Sequence, residues 1–198
     1  AAAQVKPSMF AKFRQISRFI EITGDLIDDA GLVGAREMSV LDIGSGKGYL
    51  TFALYDYLTA QRHAACRIRG IEVREDLASA SNTLATKLGF SGLSFDALPA
   101  EQVDAAGTTI VIALHACDTA TDDALALGIK AGARVIIASP CCQHEIAPQL
   151  RAPEQGFAAI THYPLLRQRQ ADLVTDAARA LLLEAAGYAV KIIEFVST

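Results

Sequence analysis

From Val40 onward the chain keeps a regular beat, in which short apolar runs alternate with helical stretches. The runs are "SVLDI", "RIRGIEV", "LSFDAL", "TIVIALH", "ARVIIAS" and "YAVKIIEFV". Between them lie "YLTFALYDYLTA", "REDLASASNTLATKLG", "TATDDALALGIKAG" and "ADLVTDAARALLLEAAG". Strands that are apolar almost throughout, rather than at every second residue, are buried on both faces, and helices between them supply the cover. The expected class is α/β, a doubly wound and mostly parallel sheet with helices on both faces.

The turns agree with this division. Leu88-Gly89, Ala131-Gly132 and Ala186-Gly187 each put glycine where a helix must stop, since glycine accepts the left-handed conformation that ends a helix. Thr119 with Asp122 three residues on resembles a capping box, and Asp118 offers a second cap for the same helix. Before the first run, "PSMFAKFRQISRFIEITGDLIDDAG" carries Met9, Phe13, Ile16, Ile20 and Ile27 near helical spacing, with Gly31 as a stop. The expected organisation is an N-terminal helical arm, 1–36, and one domain, 37–198. In the last helical stretch Leu173, Val174, Ala177, Ala178, Leu181, Leu182 and Ala185 share a face that reads as core.

Composition narrows the function classes. Of the 198 residues 52% are hydrophobic, enough for a core and too many for a disordered chain. Eighteen Lys and Arg against 22 Asp and Glu give a net charge of −4, so no overall cationic field recruits nucleic acid and any such contact needs a local patch. No apolar run reaches the length of a membrane span, and the N-terminus lacks the order of a signal peptide. The expected setting is cytoplasmic, without a membrane partner. The unevenly spaced Cys66, Cys117, Cys141 and Cys142 read as thiols or metal ligands rather than disulfides.

The chemistry concentrates in "VLDIGSGKGYL", residues 40–50. A phosphate-binding P-loop needs a glycine five residues before Gly46, where Leu41 stands, and Ser or Thr where Gly48 stands. The dinucleotide fingerprint fits Gly44 and Gly46 but finds Tyr49 in place of its third glycine. A third pattern fits fully: "LDIGSGKGYLT" closely resembles the glycine loop of class I S-adenosylmethionine-dependent methyltransferases. There an acidic residue stands two before the first glycine of G-x-G-x-G, as Asp42, Gly44, Gly46 and Gly48 do. The resemblance runs from about Val40 to Val196.

The resemblance implies a Rossmann-like methyltransferase sheet and S-adenosylmethionine as cofactor. The glycines would let the backbone turn under ribose and methionine, and Asp42 would help hold the methionine ammonium. Glu72, 24 residues after Gly48 at the end of "RIRGIEV", is placed to accept both ribose hydroxyls, a device NAD enzymes share. Asp96 is expected to read the adenine amino group, with Ser45, Ala97, Leu114 and His115 also against the cofactor. Such enzymes close with a further antiparallel strand, so the sequence is expected to be part of a longer chain.

On the acceptor side, residues that follow the fourth and fifth strands face the ligand in a doubly wound sheet. That brings His115, Cys117 and Asp118 beside Pro140, Cys141, Cys142 and His144. Methyl transfer is an in-line displacement, and a hydroxyl or amine acceptor must lose a proton, for which Asp118, His115 or His144 could act as base. The pair Pro140-Cys141 also suggests a thiolate nucleophile, as in enzymes that form 5-methylcytosine, although those place Pro-Cys after the fourth strand. Zinc on Cys117, Cys141, Cys142 and His144 is disfavoured because adjacent cysteines rarely face one metal; no metal is expected. "ALHACDTATDDAL" with "ASPCCQHEI" resembles a branch bearing a Cys-Cys-x-His signature, which includes enzymes that methylate ribose in the tRNA acceptor stem. RNA is therefore the expected acceptor, contacted through Lys12, Arg14, Arg18, Arg167 and Arg169 with Tyr163. The rival readings are a small-molecule or protein acceptor, and a cofactor-binding module without catalysis.

Overall fold

A computed structural model describes residues 7–34, 37–114, 116, 118–140, 144–151 and 161–193. Five of the six apolar runs are strands: β1 (Met38–Ile43), β2 (Cys66–Ile71), β3 (Leu93–Asp96), β4 (Ile110–Ala113) and β5 (Val135–Ala138). They form one parallel sheet in the order β3-β2-β1-β4-β5. The chain steps outward from β1 to β3, then returns to the other side of β1 for β4. Strand order reverses between β1 and β4, and the crevice beyond their carboxyl ends is where such sheets bind ligands.

Both faces are covered, which is why the runs lack polar alternation. In β1, Val40 joins one buried cluster with Phe19, Ile27, Leu54 and Ile110, whereas Leu41 and Ile43 join a second with Val111, Ala113 and Ala124. Helices α1 (Phe10–Asp29), α2 (Tyr49–Asp56) and α3 (Glu75–Leu88) serve the first face and α4 (Thr119–Ala131) the second. Gly89 and Gly132 end α3 and α4 in the left-handed conformation, and Gly31 and Gly187 also have positive φ just past their helices. Helix α1 belongs to this core: its Phe19 and Ile27 are almost fully buried.

Two expectations fail. The run "YAVKIIEFV" forms no strand over its described residues, 188–193. The Tyr188 hydroxyl donates to the carbonyl of Ala133 at 2.8 Å and Lys191 pairs with Asp29 at 2.6 Å, so side chains tether this stretch without ladder hydrogen bonds. The face of α5 (Pro164–Ala185) expected in the core points outward: Leu173 is 74% and Leu182 68% exposed. Its inward side instead carries Ala171 and Arg179, both buried. The Arg179 guanidinium forks onto Asp122 (2.7 and 2.9 Å) and also donates to the Asp118 carbonyl (3.1 Å). A buried arginine attached to α4 sets the helix's rotation, and its leucines follow.

The same contact removes the capping box, because the Asp122 carboxylate is turned to Arg179. Asp118 occupies the N-cap position of α4 at φ 56°, ψ −128° with no side-chain cap bond. Among the described residues no helix is long and apolar enough to cross a membrane.

Candidate functional site

A cavity of about 630 Å³ opens over the carboxyl ends of β1, β2 and β4. That size is in the usual range for a small-molecule or cofactor site. Its floor is the turn after β1. Gly44 and Ser45 donate their backbone N–H groups to the Ile71 carbonyl, both at 2.9 Å, which stitches the turn to the end of β2. Gly44, Gly46 and Gly48 all have positive φ, a conformation costing other residues roughly 1–2 kcal/mol. At Gly48 a Cβ would also lie 3.0 Å from the Phe95 ring and 3.1 Å from Phe52, so the crowding there comes from the protein's own aromatics. Gly48 starts α2 beneath the cavity, whereas Gly44, Ser45 and Gly46 line it.

Two buried carboxylates flank this turn. Asp42, the penultimate residue of β1, accepts a hydrogen bond from the Thr51 hydroxyl at 2.7 Å. Burial pushes its pKa up to about 7, against the smaller opposing pull of Thr51. Glu72, directly after β2, is 5% exposed. Arg74 donates from its backbone N–H and Nε to Oε1 (3.1 and 2.8 Å) and from Nη2 to Oε2 (3.1 Å). Those bonds outweigh burial and, with one from the Gly46 backbone, hold Glu72 below the usual carboxylate range. The Ser45 hydroxyl is buried without a hydrogen-bond partner among the described residues.

Of the other expected cofactor contacts, Leu114 lines the cavity. Asp96 does not: Arg69, one strand over, holds its carboxylate from Nε at 3.0 Å and Nη2 at 2.8 Å. Ala97 borders a separate shallow depression with Asn82 and Phe95. Leu98, Pro99 and Ala100, just downstream, form the cavity wall there. His115, Cys117, Cys141 and Cys142 lie outside the described residues.

Asp118 and His144 are described, and neither lines the cavity. His144 is exposed in the turn after β5, while the Asp118 carboxylate accepts the Glu145 N–H at 3.3 Å. That bond ties the loop after β4 to the loop after β5, and Ala116 of the first loop lines the cavity together with Ala120 and Asp123 of α4. Among the described residues no group of His, Cys, Asp and Glu is arranged to hold a metal.

Sequence reasoning missed a whole wall. Lys12, Gln15, Ile16 and Phe19 of α1 line the cavity at i, i+3, i+4 and i+7, one helical face. Lys12 lies 5.9 Å from the centroid of the Tyr49 ring, which closes the same side. The spacing was visible, but Lys12 and Gln15 broke its apolar character. Asp123 and Arg74 were missed as well, and no motif marks them.

The class follows from a parallel sheet with its switch point between β1 and β4, a glycine turn there, and two buried carboxylates in one cavity. A family model described as a methyltransferase domain matches residues 11–149. The chain belongs to this family of methyltransferase domains. No curated protein sequence matches it. Solved structures similar to it include the plantazolicin methyltransferase BpumL in complex with SAH (16% identity, 85% of this chain and 64% of that one, TM-score 0.48). Others are the N-terminal domain of EvdMO1 with SAH bound (20%, 62% and 47%, TM-score 0.43) and YcgJ from Bacillus subtilis (18%, 55% and 46%, TM-score 0.37). The chain spans between 46% and 64% of the length of these three.

Proposed function

We propose that this chain is the cofactor-binding and catalytic part of a methyltransferase that acts on RNA, with tRNA the favoured acceptor. The observation that carries the reading is the pairing of Asp42 and Glu72 across one glycine turn, inside a cavity walled by the loop after β4.

S-adenosylmethionine supplies an electrophilic methyl group on a sulfonium, and the chain's residues have the chemistry to hold it. Glu72 is ionised and buried, with acceptor oxygens for the ribose diol. Asp42 offers a carboxylate to the methionine ammonium, Ser45 has an unsatisfied hydroxyl beside the turn, and Val73 and Leu98 offer apolar surface to the base. Arg74 keeps the Glu72 carboxylate in place and charged. The α1 wall and the β4 loop line the cavity, and alignment of the acceptor against the sulfonium is the main catalytic task.

Proton removal from the acceptor falls to the loops after β4 and β5, where Asp118, His115 and His144 are the candidate bases and Cys141 the candidate nucleophile. The Asp118 carboxylate bridges the two loops through the Glu145 N–H and is not part of the cavity lining. The Cys-Cys-x-His resemblance at Cys141, Cys142 and His144 supports the tRNA branch, and Lys12, Arg14, Arg18, Arg167 and Arg169 supply cations for phosphates. The arm 1–36 serves the same site through α1.

Methyl transfer from labelled S-adenosylmethionine to bulk tRNA, total protein and a metabolite extract tests the reading. Label in tRNA is expected. Label only in protein or metabolites would overturn the acceptor, and none in any pool would leave a cofactor-binding module.

A further inference from the structure

We propose that the outer face of α1 is a stacking ledge for unpaired RNA bases beside the mouth of the cavity. The inference rests on the RNA-acceptor reading and names how that acceptor is held. Phe10 and Phe13 are 52% and 51% exposed, and Met9 beside them is also exposed. At i and i+3, with Arg14 at i+4 from Phe10, the three side chains share one helical face. The inner face of the same helix is the cavity wall formed by Lys12, Gln15, Ile16 and Phe19. A helix is about 10–12 Å across with its side chains, so the ledge stands one helix width from the cavity.

Tyr49 carries the aromatic surface up to the mouth. It is 46% exposed, lines the cavity and meets the Lys12 ammonium. The charge around these rings is of one sign. Between Ser8 and Ile20 the helix carries Lys12, Arg14 and Arg18 and no carboxylate, and Lys47 of the glycine turn is exposed at the same cavity. Arg18 is paired with Glu21, whereas Arg14 makes no ion pair among the described residues.

Exposed rings interleaved with cations, with no carboxylate among them, fit a polyanion that has flat apolar faces. The reaction needs such a surface. A nucleotide that enters a buried cavity must leave its stack, and its neighbours lose their partners. Tyr49 at the mouth and the Phe10–Phe13 ledge one helix width away replace that stacking without reading sequence, while Arg14 and Lys47 offset phosphate charge.

Anisotropy titrations of the 198-residue chain with labelled single-stranded rU12 and rA12, and with an RNA duplex, test the ledge. Phe10→Ala/Phe13→Ala is expected to weaken single-strand binding at least tenfold, leaving the salt slope and the affinity for S-adenosylhomocysteine unchanged. Arg14→Glu is expected to lower the salt slope by about 1–2. Single-strand binding that ignores the double phenylalanine variant would overturn the ledge and leave the RNA reading standing. No RNA binding by the wild-type chain at physiological salt would overturn both. Equal losses on single strand and duplex would assign the face to duplex shape and overturn the stacking role.

Discussion

The Thr51 hydroxyl donates to the Asp42 carboxylate at 2.7 Å, and both side chains are buried where the glycine turn leaves β1. This is the donor in place for a carboxylate that burial has pushed up to about 7. A cation arriving from the cavity is therefore needed to ionise Asp42 fully near neutral pH. Of the cations around the cavity, Arg74 is matched by Glu72, Lys12 lies against Tyr49 and Lys47 is exposed, and only burial and the Thr51 bond act on Asp42.

Cofactor affinity should therefore depend on pH with a known sign. Below about pH 7 the free protein holds a proton on Asp42 that binding must release. Calorimetric affinity for S-adenosylhomocysteine is expected to fall about tenfold between pH 8 and pH 6, about fivefold of it below pH 7, and to level off above pH 8. Thr51→Val removes the bond that lowers the Asp42 pKa, so the midpoint should move to higher pH. An affinity flat from pH 6 to 8 would mean that Asp42 does not meet the ammonium.

The same shift bears on stability. The folded-state pKa is raised above the ordinary 3.8, so the folded protein binds the extra proton between about pH 3.8 and 7. This contribution to stability is present at low pH and is lost as pH rises towards 7. Asp42→Asn should stabilise the free protein at pH 8 by on the order of 2–4 kcal/mol in urea melts, while weakening cofactor binding. A destabilised variant would show that the carboxylate is structurally satisfied.

Gly48 and Gly89 separate two demands on glycine. Both have positive φ, but only at Gly48 would a Cβ meet the rings of Phe95 and Phe52. Gly89→Ala should cost about 1 kcal/mol, and Gly48→Ala about 2–4 kcal/mol because overpacking adds to backbone strain. Equal losses in thermal melts would show that the rings move aside freely.

Arg179, 6% exposed, joins α5 to the first turn of α4 through Asp122 and the Asp118 carbonyl. Arg179→Leu is expected to destabilise by about 2–3 kcal/mol, since Asp122 is half exposed and regains water when its partner goes. Leu173→Lys, on the outer face, should change stability by less than about 0.5 kcal/mol. The opposite order would restore the reading of those leucines as core.

The sheet was legible because burial on both faces leaves an unmistakable apolar run, and Gly89 and Gly132 end their helices where left-handed backbone is required. The turn after β1 was legible for the same local reason, since Gly44, Gly46 and Gly48 all have positive φ. The rotation of α5 was not, because amphipathicity tells which face prefers burial and nothing of what is available to bury it. It is decided by Arg179 and Asp122, 57 residues apart. Asp96 was read by its place at a strand end, but its partner Arg69 stands on the neighbouring parallel strand, visible only once β2 and β3 are in register. The run 188–193 has the composition of a strand, and composition does not provide a neighbour.

Calorimetric titration of S-adenosylhomocysteine into the wild-type chain and Glu72→Ala, with NAD as the competing ligand, tests the cradle most directly. Saturable one-to-one binding is predicted, weakened by roughly 1.5–3 kcal/mol in the variant, the worth of hydrogen bonds to a charged group, with no NAD binding. Affinity unchanged by the loss of Glu72, or NAD bound in place of the homocysteine ligand, would contradict the account.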